Sequence, residues 1–197
     1  MSSSLLSMSL QLFIFIVTVE PAHILDLIFH PMGTPVKTQA VSTTDVVEGY
    51  TEEVLQRVKQ LEVEAISLLK KEESDETFQN AIDILTKAID LAPTHPSPYN
   101  NRGQIRQLQG KVEEAEADVE KAIQLSTNNT PISLRQALTQ RGMMRMKRGD
   151  EDGAREDLER AGKLGNTLAA QEAVKLNPYA RMCNQMLTQA MANAQFS

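Results

Sequence analysis

The chain has 197 residues, a formal net charge of −6 and a pI near 5.2, so its length suits one domain with a tail. An acidic balance disfavours a protein that binds nucleic-acid phosphates. Hydrophobic residues make up 41% of the sequence, but aromatic residues make up only 4% and Trp is absent. A core of aliphatic residues, Met and Ala is typical of packed helices. Cys183 is the single cysteine and cannot form an intramolecular disulfide, which fits a reducing compartment.

Residues 10–19, LQLFIFIVTV, form an apolar run near the start of the chain. The run is too short for a transmembrane helix, which needs about 20 apolar residues. Its length suits a signal peptide, but no Lys or Arg precedes Lys37 and the residues after the run are a poor cleavage site. We therefore predict that residues 1–20 are a disordered extension or an incorrectly assigned start. We expect a cytoplasmic protein, small enough to enter the nucleus, without membrane contact unless residues 5–19 are a real signal.

Residues 21–50 are predicted to contain a short helix and a linker. Four apolar residues between Ile24 and Phe29 share one helical face, and Pro31 ends that helix. The stretch 31–50 holds Pro, Gly, Ser and Thr with little periodicity, which is typical of a linker. From Glu52 to Lys71 apolar residues follow a helical period, which predicts a long helix.

A repeated pattern follows this helix. Arg102-Gly103 recurs 39 residues later as Arg141-Gly142, whereas the alanine pattern of residues 81–88 recurs 34 residues later. The longer spacing is 34 plus five inserted residues, 130–134, where Thr130 can cap a helix that has Pro131 in its first turn. A period of 34 is typical of tetratricopeptide repeats, which are helical hairpins that bury their apolar faces by stacking.

We therefore predict an all-α fold with three tetratricopeptide-type hairpins in residues 51–168, at 62–95, 96–129 and 135–168. Small residues are expected where helices cross closely, because a larger side chain there would cost about 1–3 kcal/mol. These structural repeat positions are Gly103, Ala115, Ala122, Gly142, Ala154 and Ala161. Gly110 and Gly149 are expected at the turns between helices.

Residues 169–197 are predicted to form capping helices at the C-terminal end of the stack. Asn177 and Pro178 restart a helix there as cap and first-turn residue. We expect its apolar stripe to be buried and Cys183 to be a small buried hydrophobic residue. The stripe comprises Tyr179, Met182, Cys183, Met186, Leu187 and Met191.

Four segments carry a resemblance to a known family. They are ILDLIFHP near the start, SPYNNRGQIRQLQG and QRGMMRMKRGD within the repeats, and LNPYARMCNQML near the end. Over about residues 22–197 the chain resembles the tetratricopeptide repeat protein 36 family. The resemblance implies an adaptor that binds the seventy-kilodalton heat-shock chaperone.

Some chaperone-binding repeat domains hold an acidic C-terminal tail in a two-carboxylate clamp made of Lys, Asn and Arg side chains. By motif position, the clamp residues fall at Ile66, Lys70, Asn101, Gln136 and Gln140. Only Asn101 matches the residue type that the clamp requires. The resemblance therefore implies chaperone binding without the standard clamp.

The first helices of the hairpins are expected to line a groove that binds a partner. Its predicted residues are Lys70, Asn100, Asn101, Gln104, Gln136, Gln140, Met143 and Lys147, with Val63 and Ile66 beside them. Amide and apolar side chains suit hydrogen bonding to an extended peptide or packing against a helix. The alternative is that these are only solvated helix positions.

Repeated charges have a structural interpretation. Arg102 and Arg141 each precede an Asp by 16 residues, which indicates an Arg–Asp pair that ties two helices together. The basic stretch 135–148 could be a nuclear signal, but we expect the acids of 150–157 to offset it.

The sequence contains no phosphate loop, metal-ligand spacing or nucleophile motif, so we expect neither an enzyme nor a cofactor or metal. The leading hypothesis is a protein–protein adaptor for a heat-shock chaperone or its client. The alternative is a structural subunit of a larger assembly, of ciliary or scaffold type.

Overall fold

A computed structural model describes residues 44–71 and 74–195, and this part of the chain contains eight α-helices and no strand. The helices are α1 (Glu52–Lys71), α2 (Asp75–Leu91), α3 (Pro96–Leu108), α4 (Val112–Leu125), α5 (Pro131–Lys147), α6 (Glu151–Lys163), α7 (Thr167–Leu176) and α8 (Pro178–Gln195). The structure confirms the all-α repeat fold. The predictions for residues 1–20 and for the short helix at 22–30 lie outside the described residues.

Consecutive helices pair into helical hairpins, and the hairpins stack on one another. The strongest helix contacts join α1 to α2, α3 to α4 and α5 to α6, followed by that of α6 with α7 and then by those of α2 with α3 and α4 with α5. In addition α3 contacts both α1 and α5. The first helices of the three hairpins are therefore neighbours, and they form one continuous surface that we call the first-helix face.

The core is a series of small clusters rather than one centre. Leu69, Leu85 and Ile105 pack between the first and second hairpins, and Ala122 packs with Ala137 between the second and third. Another cluster, around Leu158, joins α6 to α7. Each hairpin thus buries apolar side chains between its own two helices and against its neighbour in the chain, as a stacked repeat requires.

Two glycines allow the helices of a hairpin to approach closely. A Cβ atom at position 103 would lie 3.0 Å from the carbonyl oxygen of Ala115 and 3.0 Å from Val119 Cγ2. A Cβ atom at position 142 would lie 2.9 Å from Leu158 Cγ. The predicted alanine positions Ala115, Ala122, Ala154 and Ala161 are each 0% exposed. At the turns, Gly110 and Gly149 have φ of 79° and 82°, in the left-handed region that favours glycine.

The predicted Arg–Asp pairs are confirmed. Arg141 Nε and Nη2 donate to the two carboxylate oxygens of Asp157 at 2.8 and 2.7 Å, and Arg102 binds Asp118 in the same bidentate way. Arg145 Nη1 also donates to Asp157, at 2.9 Å. Asp157 is 0% exposed, so these arginines rather than water stabilise its charge.

The basic stretch on α5 is offset by acids, but not only by those that follow it in sequence. Arg141 also contacts Glu120, and Arg148 contacts Glu116, both on α4 of the preceding hairpin. Arg145 contacts Asp150 at 3.8 Å in addition to Asp157. The arginines therefore serve contacts within and between hairpins.

Residues 44–50, which we call the strap, join two loops of the stack. Asp45 accepts hydrogen bonds from the backbone N–H groups of Ile132 and Ser133, at 2.8 and 2.9 Å. Val46 N–H donates to the carbonyl oxygen of Asn129 at 2.7 Å. Near the other end of the strap, Thr94 N–H donates to the Tyr50 hydroxyl at 2.9 Å. This part of the predicted linker is therefore packed against the helical stack.

The strap also corrects the predicted cap of α5. Pro131 does begin that helix, but the Thr130 side chain makes no capping hydrogen bond. Its hydroxyl instead accepts from the backbone N–H of Thr127 at 2.8 Å. Asp45 supplies the cap from a distant part of the sequence, and its negative charge is favourable at a helix N-terminus.

The expectation of a buried stripe on α8 is wrong. Tyr179 is 75% exposed, Met182 52%, Met186 62% and Met191 60%, and Cys183 is exposed as well. Whereas α7 packs closely on α6, α8 has its main contacts with α7. The start of α8 agrees with prediction, because Pro178 is its first residue and Asn177 Oδ1 accepts from the N–H of Tyr179. Within the described part of the chain, no helix is long and apolar enough to cross a membrane.

The buried carboxylate of Asp157 should be needed for stability. We expect Asp157→Asn to lower the free energy of unfolding by about 2–3 kcal/mol, because two arginines lose their charged acceptor. The matched control is Asp152→Asn on the same helix, where the side chain is 91% exposed and the change should cost less than about 0.5 kcal/mol. Urea unfolding followed by circular dichroism measures both, and equal losses would contradict the structural role of Asp157.

The exposure of α8 can be checked through its thiol. We expect Cys183 to react fully with a thiol-specific disulfide reagent in the native protein, at a rate within about tenfold of that in urea, because no folded layer covers it. Absorbance of the released chromophore measures this, and Cys183→Ser serves as the blank. A thiol that reacts only after unfolding would show that α8 is buried.

Candidate functional site

The predicted groove residues all lie on the helices of the first-helix face, but they differ in exposure. Lys70 on α1 and Lys147 on α5 are exposed. Asn100 and Asn101 on α3 are buried, at 3% and 8% exposure. The remaining four are half-buried and lie on α3 and α5: Gln104, Gln136, Gln140 and Met143. Beside them, Val63 is 59% exposed and Ile66 is half-buried.

Asn101, which matches the clamp pattern, donates a hydrogen bond to a carboxylate of this same chain. Its Nδ2 donates to Glu62 Oε1 at 2.8 Å. The Ser97 hydroxyl donates to the same oxygen at 2.5 Å. These contacts join α1 to α3 across the first-helix face. The amide that would hold a partner's carboxylate in a standard clamp therefore already holds one.

Glu62 is the residue that the sequence reasoning missed. It lies between Leu61 and Val63, but Gln60 and Glu64 flank that pair, as is usual on an amphipathic helix. Its partners follow it by 35 and 39 residues, close to the repeat spacing. Without the structure, nothing distinguished it from the exposed acids of α1.

The environment of Glu62 favours its neutral form. Burial raises the pKa of Glu62 to about 7, although the hydrogen bonds from Ser97 and Asn101 act in the opposite direction. The charge of Asp45 raises that pKa further, and Lys59 lowers it. None of the ion pairs found among the described residues includes Glu62. It is thus a half-buried carboxyl group without a direct cationic partner.

The helix start next to Glu62 adds no positive charge. His95 is the N-cap of α3, and its Nδ1 accepts from the backbone N–H of Ser97 at 3.3 Å. Burial lowers the pKa of His95, despite the opposing effect of Asp45. A lowered pKa keeps this imidazole neutral at physiological pH.

Two amides on the first-helix face have unpaired polar atoms. Asn100 Oδ1, Gln140 Oε1 and Gln140 Nε2 are buried yet make no hydrogen bond among the described residues. Gln140 is the equivalent of Asn101 one repeat later, 39 residues further along the chain. The equivalent of Glu62 one repeat later is Pro96, 34 residues further, and proline offers no carboxylate. A buried polar group without a partner costs about 1–3 kcal/mol, so these atoms can gain free energy from a ligand.

The fold and this face define a class of protein. The Tetratricopeptide repeat family model matches residues 84–117. A solved structure, the first TPR of Spaghetti (RPAP3) bound to an HSP90 peptide, is similar with a TM-score of 0.51 and 26% identity, covering 70% of this chain and 94% of that one. The Sgt2 TPR domain from Aspergillus fumigatus shares the fold, with a TM-score of 0.51 and 22% identity. The molecule is a tetratricopeptide-repeat protein.

Relatives place it more closely. Tetratricopeptide repeat protein 36 of Bos taurus is 37% identical, covering 85% of this chain and 90% of the relative. The Homo sapiens protein of that name is 39% identical over 73% of this chain and 74% of the relative. The Drosophila melanogaster homolog is 31% identical, with coverages of 85% and 90%. The chain belongs to the tetratricopeptide repeat protein 36 family, as its sequence motifs indicated.

The raised pKa of Glu62 should appear in the pH dependence of stability. In the unfolded chain Glu62 loses its proton near pH 4.5, and in the folded protein near pH 7. Its contribution to stability is therefore complete below about pH 4.5 and decreases as the pH rises to about 7.

The variant Glu62→Gln removes this titration but keeps an oxygen that can accept from Ser97 and Asn101. We expect it to be more stable than the wild type by about 2 kcal/mol at pH 8, with a difference that shrinks towards pH 5. Urea unfolding at both pH values measures this difference. A difference that does not change with pH would contradict the raised pKa.

Proposed function

We propose that this protein is an adaptor that holds an extended segment of a partner protein on the first-helix face. The observation that carries the proposal is the set of buried polar atoms without partners on Asn100 and Gln140. They offer two acceptors and a donor, which complement the N–H and C=O groups of a peptide backbone. The half-buried Met143, on the same face, adds an adaptable apolar contact.

We further propose that the partner is the seventy-kilodalton heat-shock chaperone or one of its clients. The resemblance to the tetratricopeptide repeat protein 36 family implies that chaperone. A repeat domain of similar fold, the first TPR of RPAP3, was solved with an HSP90 peptide, so this architecture can hold a chaperone segment. The same proposal places the protein in the cytoplasm and assigns it a binding role rather than a catalytic one.

The chemistry of the face supports binding without the standard clamp. Ile66, Gln136 and Gln140 stand where that clamp has cations, and none of them carries a charge. Asn101 donates to Glu62. An acidic chain terminus would therefore lack its cationic partners, and the partner segment is better sought elsewhere in the chaperone, in its ATPase or substrate domain.

A second candidate function is that of a subunit in a larger assembly, of ciliary or scaffold type. The observation that favours it is the exposed apolar face of α8, which carries Tyr179, Met182, Met186 and Met191. Exposed apolar surface of this kind is typical of an interaction site. Size-exclusion chromatography of native extract separates the two functions, because an adaptor elutes partly free whereas a subunit elutes only in a large complex.

The adaptor proposal is tested with full-length purified chaperone and two matched variants. Met143→Glu places a charge on the first-helix face and should weaken binding at least tenfold, equivalent to about 1.4 kcal/mol. Met186→Glu makes the same change on α8 and should leave the affinity within about twofold. Isothermal titration calorimetry measures both, and circular dichroism confirms that both variants are folded.

Removing the acidic C-terminal tail of the chaperone should also leave the affinity within about twofold, because the clamp cations are missing. Undetectable binding of the wild-type protein, or equal weakening by the two variants, would refute the proposed site. A complete loss of binding with the tail-less chaperone would show that the tail is the ligand.

A further inference from the structure

We propose that the exposed apolar face of α8 is the contact surface of a homodimer, in which α8 of one copy packs antiparallel against α8 of a second copy. By the α8 face we mean the helical stripe that carries Tyr179, Met182 and Met186. The dimer does not depend on the proposed adaptor function. It would extend that function, because a dimer offers two first-helix faces and can hold two partner segments at once.

Apolar exposure is concentrated at the C-terminal end of the stack. Among the described residues, six of the ten large apolar side chains that remain exposed lie on α7 or α8. On α8, Tyr179 is 75% exposed, Met182 52% and Met186 62%. Residues three and four apart lie on one side of a helix, so these three share a face, and the exposed Cys183 lies on it as well. Earlier in the stack, apolar faces are covered by a neighbouring helical hairpin, which a second copy would supply here.

The charge of α8 permits contact with an identical helix. Its 18 residues include no Asp, Glu or Lys and a single Arg, Arg181. The whole chain has a net charge of −6, so two copies repel each other over most of their surface. A two-fold contact brings identical residues together, and α8 brings no acidic residues into that contact. A different partner would find few charges here for electrostatic complementarity, which disfavours a charge-selected partner.

The order of residues along α8 also suits an antiparallel pair. Met186 lies at the middle of the helix, which spans Pro178–Gln195. A two-fold axis at this point brings Met186 of the two copies together. It places Tyr179 and Met182 of one copy opposite the region of residues 190–194 of the other, where positions 190 and 194 are alanine. Large residues at one end of the stripe thus meet small residues at the other, as close packing requires.

The size of the α8 face predicts a weak dimer. The three side chains leave roughly 400 Å² exposed in each copy, and a pair covers about 1,000 Å² once their neighbours on the helix are included. Interfaces of this size are at the low end of those that are specific. We therefore expect a dissociation constant on the order of 10–100 µM.

Sedimentation equilibrium of the full-length protein in reducing buffer tests the dimer, from about 5 to about 500 µM, which brackets that dissociation constant. The apparent mass should rise from 21.9 kDa towards twice that value. Met186→Glu should remain monomeric, because the two-fold contact would place two carboxylates opposite each other. Gln185→Glu is the matched control, since Gln185 is exposed and adjacent residues point about 100° apart around a helix. Its dissociation constant should stay within about threefold of the wild-type value.

The thiol of Cys183 locates the contact. In the wild type, the rate of its alkylation by iodoacetamide should fall at least threefold between about 5 and about 500 µM protein, because the dimer covers the α8 face. In Met186→Glu the rate should not change with concentration. Intact mass measures the alkylation, and circular dichroism confirms that both variants are folded.

The outcomes separate the dimer from the adaptor function. A wild-type protein that is monomeric at the highest concentration would overturn the dimer. A dimer that survives Met186→Glu, or that leaves the alkylation of Cys183 unchanged, would also overturn it, because the copies would then meet elsewhere. None of these results bears on the adaptor, which Met143→Glu tests on a different surface. A monomer whose chaperone binding is weakened tenfold by Met186→Glu would show that the chaperone, and not a second copy, covers the α8 face.

Discussion

Each helical hairpin of this chain has more apolar surface than its two helices can bury against each other, and the rest of the structure depends on that constraint. Stacking satisfies it only if the helices within a hairpin approach closely, and Gly103 and Gly142 permit this approach. The bidentate pairs of Arg102 with Asp118 and Arg141 with Asp157 then fix how the two helices meet. The same devices recur in the second and third hairpins, which therefore have the same internal geometry.

The same stacking creates the candidate site. It brings α1, α3 and α5 side by side, so that polar residues far apart in sequence share one surface. One result is that the Glu62 carboxylate accepts hydrogen bonds from Ser97 and Asn101. Asn101 is the residue that matches the clamp pattern. Another is that Gln140, at the equivalent position one repeat later, has no such partner. The two inter-repeat junctions of the face therefore have different chemistry despite their related sequences.

Features that depend on neighbours in sequence could be predicted. The helical period through Lys71, the glycine turns at 110 and 149 and the Arg–Asp spacing all reflect local geometry or its repetition. The groove residues were predicted by repeat position, and the structure places them on one face without testing what they bind. The buried stripe on α8 was a wrong prediction, because an apolar helical face shows only that a helix could be covered. Coverage requires another element in the right place, which periodicity does not specify.

The sequence by itself determined the repeat class and the helices, because these follow from residue type and spacing along the chain. The tertiary structure decided which distant groups meet. Asp45 caps α5 although Thr130 is the local candidate, since the Thr130 hydroxyl is already used within its own loop. Burial at the contact with α3 raises the pKa of Glu62, whereas the other acids of α1 are exposed. Burial and long-range pairing depend on the packed arrangement of all the helices, and no short stretch of sequence contains that information.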